Sequence, residues 1–250
     1  MAKLFDAYIK NYNLLLKTKG HSFFIDILFD ELKTYPHAVV ADIGCGSGIA
    51  RNTGHLATIK TMASRMIGIE PDKSVEPPAD IFDEVQHCFF EDCTIAPNTV
   101  FFAYSSMVME HVAKPDLFLA KLYEVLKPGG IYIFLTVNKN HYFTWFARLF
   151  KTLKLDEFIL NAAKGKDEVE QYHYPLAYKF NDEKTISSIA EKYGFEKPQF
   201  VYAEFAGTKT YFPGPLKFLW HIFTLKRKLI KKNNNLLSFI CIIKKPNQPD

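Results

Sequence analysis

The stretch Ala38-Val39-Val40-Ala41-Asp42-Ile43-Gly44-Cys45-Gly46-Ser47-Gly48 constrains this chain more than any other. Its first six residues hold one acid and no turn former, which suits a strand buried on both faces of a parallel sheet. The run stops at three glycines on alternate positions. Glycine tolerates positive φ and carries no Cβ, so such a loop turns sharply and lets a ligand approach the main chain. A helix is expected over residues 49–64. A second short strand, Arg65-Met66-Ile67-Gly68-Ile69-Glu70, then ends in an acid ahead of Pro71. In an open α/β sheet this loop and this acid share the crevice at the carboxyl ends of the strands, where a carboxylate can accept both hydroxyls of a ribose. A bare glycine trio could equally be a flexible turn, so the context carries the argument.

The remaining pattern extends the alternation. Helices are expected over 4–16 and 21–33, the second with Phe23, Phe24, Ile27, Leu28, Glu31 and Leu32 at helical spacing and stopped by Pro36. A third strand is expected over Glu84–Phe90 and a fourth over Thr99–Val108. A helix follows over Asp116–Leu126, with Leu117, Leu119, Leu122 and Val125 toward the core, and a fifth strand over Ile131–Val137. Alternating strands and helices imply βαβ units and a mainly parallel sheet. Past residue 140 the character changes: 140–180 is aromatic-rich, Glu183–Tyr193 reads as a helix ended by Gly194, and strands are expected at Phe200–Phe205 and Leu236–Ile243.

Composition narrows the class further. Of 250 residues 48% are apolar and 23% charged, which excludes a disordered chain, a collagen-like fibre and a coiled coil. The net charge, 31 − 27 = +4, is too mild to imply nucleic acid. The four cysteines (45, 88, 93, 241) form no C-x-x-C pair and read as free thiols of a reducing compartment. Residues 1–20 contain no signal-peptide core, and no apolar run reaches the length of a membrane span, so a soluble, cytoplasmic protein is expected.

The glycine spacing discriminates between cofactor classes. A dinucleotide fingerprint requires G-x-G-x-x-G/A, whereas here the third glycine falls one residue early, at Gly48, and Ile49 takes its slot. The G-x-G-x-G pattern with Asp42 two residues ahead resembles the first motif of the class I S-adenosylmethionine-dependent methyltransferases. Later landmarks follow in order. Glu70 matches that family's ribose-binding acid, and Glu91-Asp92-Cys93 its adenine-binding segment, in which the acid takes the adenine amine and the next amide binds the ring. Ser105 to Val112 resembles the segment after strand four, and Leu126-Lys127-Pro128-Gly129-Gly130 the turn before strand five. The resemblance spans roughly residues 35–140 and is nearest the quinone and glycan type, whose fifth strand runs into a Thr-x-Asn loop, here Thr136-Val137-Asn138. It implies a Rossmann-like, seven-stranded, mostly parallel sheet with helices on both faces and a C-terminal antiparallel strand pair. One domain, 1–250, would comprise N-terminal helices (1–34), a donor-binding core (35–140), an acceptor-side cover (140–180) and the C-terminal sheet (181–250). S-adenosyl-L-methionine would be held by Asp42, Gly44, Cys45, Gly46, Gly48, Glu70, Asp92, Cys93 and Ser105, with S-adenosyl-L-homocysteine as product.

Methyl transfer by in-line displacement needs mainly an aligned acceptor and a proton sink. His111, just after strand four, is the candidate base because imidazole titrates near neutrality; otherwise it bonds a loop carbonyl. Glu110 is the second candidate, with a solvated first-turn acid as its plain alternative. His141, Tyr142, His173 and Tyr174, along with Tyr172 and Tyr178, concentrate where an acceptor cover is expected, or simply pack on the sheet. No histidine or cysteine spacing suits a metal. The segment that marks methylation of nucleic-acid base amines is absent after strand four, so a small-molecule acceptor, methylated at oxygen, is expected.

From Lys209 to Lys245 there are nine Lys/Arg and no Asp or Glu. Within it, 215–232 alternates apolar residues with a basic end. Such a segment can lie on an anionic membrane, giving peripheral contact and a lipid-linked acceptor, or pack on the sheet with its lysines in water. The rival functions are a nicotinamide oxidoreductase, disfavoured by the glycine spacing, and a catalytically silent nucleotide-binding or scaffold module.

Overall fold

The computed structural model describes residues 20–49, 52–141, 175–203, 217–230 and 236–247. Seven strands form one sheet in the order β3-β2-β1-β4-β5-β7-β6. They are β1 (Ala38–Ile43), β2 (Ala63–Ile69), β3 (Glu84–Gln86), β4 (Val100–Ser106), β5 (Leu126–Val137), β6 (Gln199–Ala203) and β7 (Ser238–Lys244). The pairs among β1 to β5 are parallel, and β7 runs antiparallel to both β5 and β6. Chain order reverses between β1 and β4, which makes the carboxyl ends of those two strands the crevice for a ligand.

Local chemistry explains the helices. Helix α1 (Gly20–Leu32) buries Phe23, Phe24, Ile27, Leu28 and Leu32. Helix α2 (Thr53–Met62) starts where the Asn52 side chain accepts the Gly54 amide at 2.9 Å. Helix α3 (Pro115–Val125) has proline in its first turn, where the missing N–H costs nothing. Helix α4 (Glu183–Lys192) is capped by Asp182, which accepts the Thr185 amide at 3.1 Å, and ends before Gly194 at φ +81°. Helix α5 (Lys217–Ile230) lies between β6 and β7 in sequence.

Three expectations shift in detail. Strand β3 stops at Gln86, and Phe90–Asp92 winds into a 3-10 turn that buries Phe90. On α3, Phe118 rather than Leu117 faces the core with Leu119, Leu122 and Val125; Leu117 and Leu119 sit about 200° apart around a helix and cannot share a face. Strand β5 begins at Leu126, not Ile131. Its Pro128-Gly129-Gly130 turn is a bulge: Leu126 pairs Val100 and Ile131 pairs Phe102, with Gly129 at φ +76°. The helix expected over 4–16 and most of the 140–180 cover fall outside the described residues.

Candidate active site

The loop after β1 is tied to the end of β2. Gly44 and Cys45 both donate backbone N–H bonds to the Ile69 carbonyl, at 2.7 and 3.1 Å. Gly44 has φ +72°, and a Cβ there would stand 2.5 Å from a Val108 methyl, so only glycine lets the segment after β4 press on the loop. Glu70 is 6% exposed; its Oε2 accepts the Gly46 amide at 2.9 Å and its Oε1 accepts the Asp72 amide at 3.0 Å. A carboxylate oxygen has more than one lone pair, so Glu70 keeps acceptor capacity for hydroxyls of a ligand.

Asp42 lies one strand away and fully inside. The β1/β4 register sets it opposite Tyr104, whose hydroxyl donates to Asp42 Oδ2 at 2.7 Å. Burial pushes the Asp42 carboxyl up to about 7; the Tyr104 bond opposes this and the Glu70 charge adds to it. A positively charged ligand beside these two acids would favour the ionised form.

The other expected donor contacts divide. Cys45 is buried, and burial, together with the Asp42 and Glu70 charges, raises its thiol well above the ordinary range, so it packs rather than reacts. Asp92 is exposed and available at the loop, but the Cys93 amide already donates to Phe90 O at 3.2 Å, closing the 3-10 turn. Ser105 points into the sheet: it is fully buried, its Oγ 2.6 Å from the Tyr132 hydroxyl. Its side chain is therefore a core partner of Tyr132.

The segment after β4 holds both base candidates, facing different neighbours. His111 Nδ1 lies 3.4 Å from the Pro175 carbonyl. A carbonyl only accepts, so Nδ1 donates in this contact, which is the loop-carbonyl bond that the sequence offered as the alternative role of this histidine. Glu110 is not a solvated acid: it is 3% exposed and receives the Thr136 hydroxyl at 2.8 Å. Thr136 Oγ1 in turn accepts Asn181 Nδ2 at 2.7 Å. The Glu110 carbonyl accepts the amides of Ala177 and Tyr178 at 2.7 and 3.0 Å, so this residue fastens the 177–178 segment to the loop after β4. Burial raises the Glu110 carboxyl to about 7, against the opposing pull of its hydrogen bonds. Sequence reasoning missed Tyr104, Thr136 and Asn181 as members of the site; strand register could have suggested Tyr104, but Asn181 meets Thr136 only through the fold.

A raised acid has a definite pH signature. Between about pH 4.5 and 7 folded Glu110 holds a proton that the unfolded chain releases, so its contribution to stability falls as pH rises through that window. Glu110→Gln, which keeps the shape without the charge, is expected to raise stability at pH 8 by about 1–3 kcal/mol and to change little near pH 4. Urea denaturation at both pH values measures this, and equal effects at both would contradict it.

Of the expected acceptor-side residues, His141 is 1% exposed, and its amide donates to Asn138 O at 3.1 Å. Asn138 is itself buried and donates Nδ2 to Leu236 O at 2.9 Å, tying the end of β5 to the approach of β7. Tyr142, His173 and Tyr174 lie outside the described residues. Among the described residues no group of three His, Cys, Asp or Glu is placed to hold a metal ion.

Comparison with known proteins agrees with this arrangement. The family described as "Methyltransferase domain" matches residues 28–199. The ubiquinone biosynthesis O-methyltransferase of Bradyrhizobium diazoefficiens is 30% identical over 107 residues, 40% of this chain and 40% of that protein. The mitochondrial enzyme of the same name from Mus musculus is 30% identical over 112 residues, covering 40% of this chain and 29% of its own. A demethylmenaquinone methyltransferase from Leptospira interrogans is 33% identical over 86 residues, 33% of this chain and 34% of that one. This chain thus spans well under half the length of these curated relatives. Among solved structures, a methyltransferase from Archaeoglobus fulgidus superposes with TM-score 0.53 at 13% identity, over 90% of this chain and 95% of that one. Phosphoethanolamine N-methyltransferase 2 of Haemonchus contortus superposes with TM-score 0.54 at 15% identity, over 98% of this chain and 56% of that one. These two share the fold. The matched residues take in the glycine loop, Glu70 and strands β1 to β5, and the chain belongs to the class I S-adenosylmethionine-dependent methyltransferase family.

Proposed function

We propose that this protein transfers a methyl group from S-adenosylmethionine to an oxygen of a small-molecule acceptor, in the cytoplasm and at the membrane periphery. The observation that carries the reading is Glu70, buried at the end of β2 with one oxygen on the Gly46 amide. A buried carboxylate beside the glycine loop that follows β1, the strand at which the order reverses, supports a hydroxyl-binding role for Glu70. The donor set also suits the ligand in charge, since the sulfonium and the amino group are both positive and Asp42 and Glu70 are both acids.

When bound, the donor supplies an electrophilic methyl carbon on a good leaving group. The work left to this chain is alignment and proton management. Glu70 holds the ribose, Asp92 the adenine amine, and the Gly44 loop gives main-chain approach. His111 Nε2 takes the proton that the acceptor hydroxyl loses as its oxygen bonds to carbon. The preference for oxygen draws on the relatives named O-methyltransferase and on an imidazole placed just after β4.

Glu70→Ala tests the donor site. Losing charge-assisted hydrogen bonds to the ribose is expected to weaken donor binding by about 1–3 kcal/mol, roughly 5- to 150-fold in Kd by calorimetry. An unchanged Kd would place the ribose elsewhere, and no binding by the unaltered protein would sink the whole reading.

A further inference from the structure

Helix α5 carries apolar side chains on two sides. At about 100° per residue, Phe218, Ile222, Leu225 and Leu229 fall within about 60° of one another, and Trp220 lies roughly opposite them. Trp220 is half-buried with the His221 ring 5.0 Å away, whereas the four others are 56%, 54%, 59% and 75% exposed. Five of the seven exposed large apolar residues in the described chain fall on this one helix, the fifth being Ile230. Single exposed apolar residues call for no explanation, but a continuous ladder of them does.

Charge selects the occupant. The ladder sits within the stretch from Lys209 to Lys245 that has nine Lys/Arg and no acid, although the whole chain carries a net charge of only +4. A second copy would bring two such cationic helices face to face, which like-charge repulsion opposes. An anionic bilayer offers both complements at once: apolar acyl chains below for the ladder and negative headgroups for the lysines. No helix among the described residues is long and apolar enough to cross a membrane, so the contact is peripheral.

Topology links this helix to the site. Strand β6 ends at Ala203 and β7 begins at Ser238, and these two residues pair; Ser238 also pairs Val137 at the end of β5. The chain therefore leaves for α5 and returns at the carboxyl end of the parallel strands, the end that bears Gly44, Glu70 and Glu110. We propose that α5 docks through Phe218, Ile222, Leu225 and Leu229 on an anionic membrane surface, and that the acceptor is an apolar, membrane-borne molecule presented to this end of the sheet. The acceptor half rests on the methyl-transfer reading; the docking half does not.

Co-sedimentation of the full chain with phosphatidylcholine vesicles, with and without phosphatidylglycerol, tests it. Binding is expected to be about 10-fold or more tighter with phosphatidylglycerol and to fall about 10-fold or more at high salt. The triple substitution F218S/I222S/L225S alters only exposed positions; it is expected to lower vesicle binding by at least about 100-fold with the donor Kd unchanged. Indifference to lipid charge, or undiminished binding by the triple variant, overturns the proposal. So does a salt-stable dimer in ultracentrifugation that the same variant disperses, since that would give the face to a second copy. Donor calorimetry is read separately, so failure of vesicle docking and failure of the methyl-transfer reading are distinguishable.

Discussion

His111→Ala is expected to lower turnover by about 10²–10⁴-fold, the usual effect of losing a general base, while donor affinity stays as it was. The expectation follows from the contact on the other ring nitrogen. The Pro175 carbonyl, 3.4 Å from Nδ1, can only accept, so Nδ1 donates there and a proton taken up by the ring goes to Nε2. The same contact orients the ring from outside, as a partner on the second nitrogen commonly does. The limb of the pH profile of kcat/KM that reports the free imidazole should vanish in the variant. His111→Gln, which can keep an N–H toward Pro175 but cannot take up a proton, should be as slow as alanine. If the glutamine variant works normally and alanine does not, His111 positions the 175–178 segment and is not the base. If both work normally while Glu110→Gln is slow, the proton passes to Glu110, whose carboxyl accepts the Thr136 hydroxyl.

Much of this was legible in the sequence because it is encoded locally. The β1 run, the alternate glycines and the acid at the end of β2 are short-range features, and the fold uses them where they stand. The helix over Glu183–Lys192 likewise lies where its pattern and the following Gly194 put it. What could not be read was the direction in which a side chain points once neighbouring strands are in register. Ser105 and Tyr104 are adjacent in β4, so they face opposite sides of the sheet: Tyr104 meets Asp42, and Ser105 meets Tyr132. Glu110 looked like a solvated acid because nothing in its own segment reveals Thr136, or Asn181 far along the chain. The Pro-Gly-Gly segment reads as a turn in isolation, and becomes a bulge because the flanking residues stay paired with β4.

Gly44→Ala is expected to damage both the fold and the donor site, and two separable effects add in it. The residue sits at φ +72°, where a side chain costs about 1–2 kcal/mol whatever the space around it. In addition its new methyl would meet Val108 Cγ2 at 2.5 Å, well inside contact distance, so either the loop or the segment after β4 must move. Overpacking of this kind typically costs about 1–3 kcal/mol. The total, about 2–5 kcal/mol, should appear as a lower urea midpoint. Donor Kd should also weaken by about 10-fold or more, because Gly44 is hydrogen-bonded to Ile69, the residue before Glu70. Val108→Ala separates the two terms. It removes the offending methyl, so the double variant G44A/V108A should recover the packing term and keep the φ term, giving a coupling energy of about 1–3 kcal/mol in the cycle. Simple additivity of the two substitutions would mean that Val108 does not press on the glycine loop, and would leave backbone strain as the whole cost at Gly44.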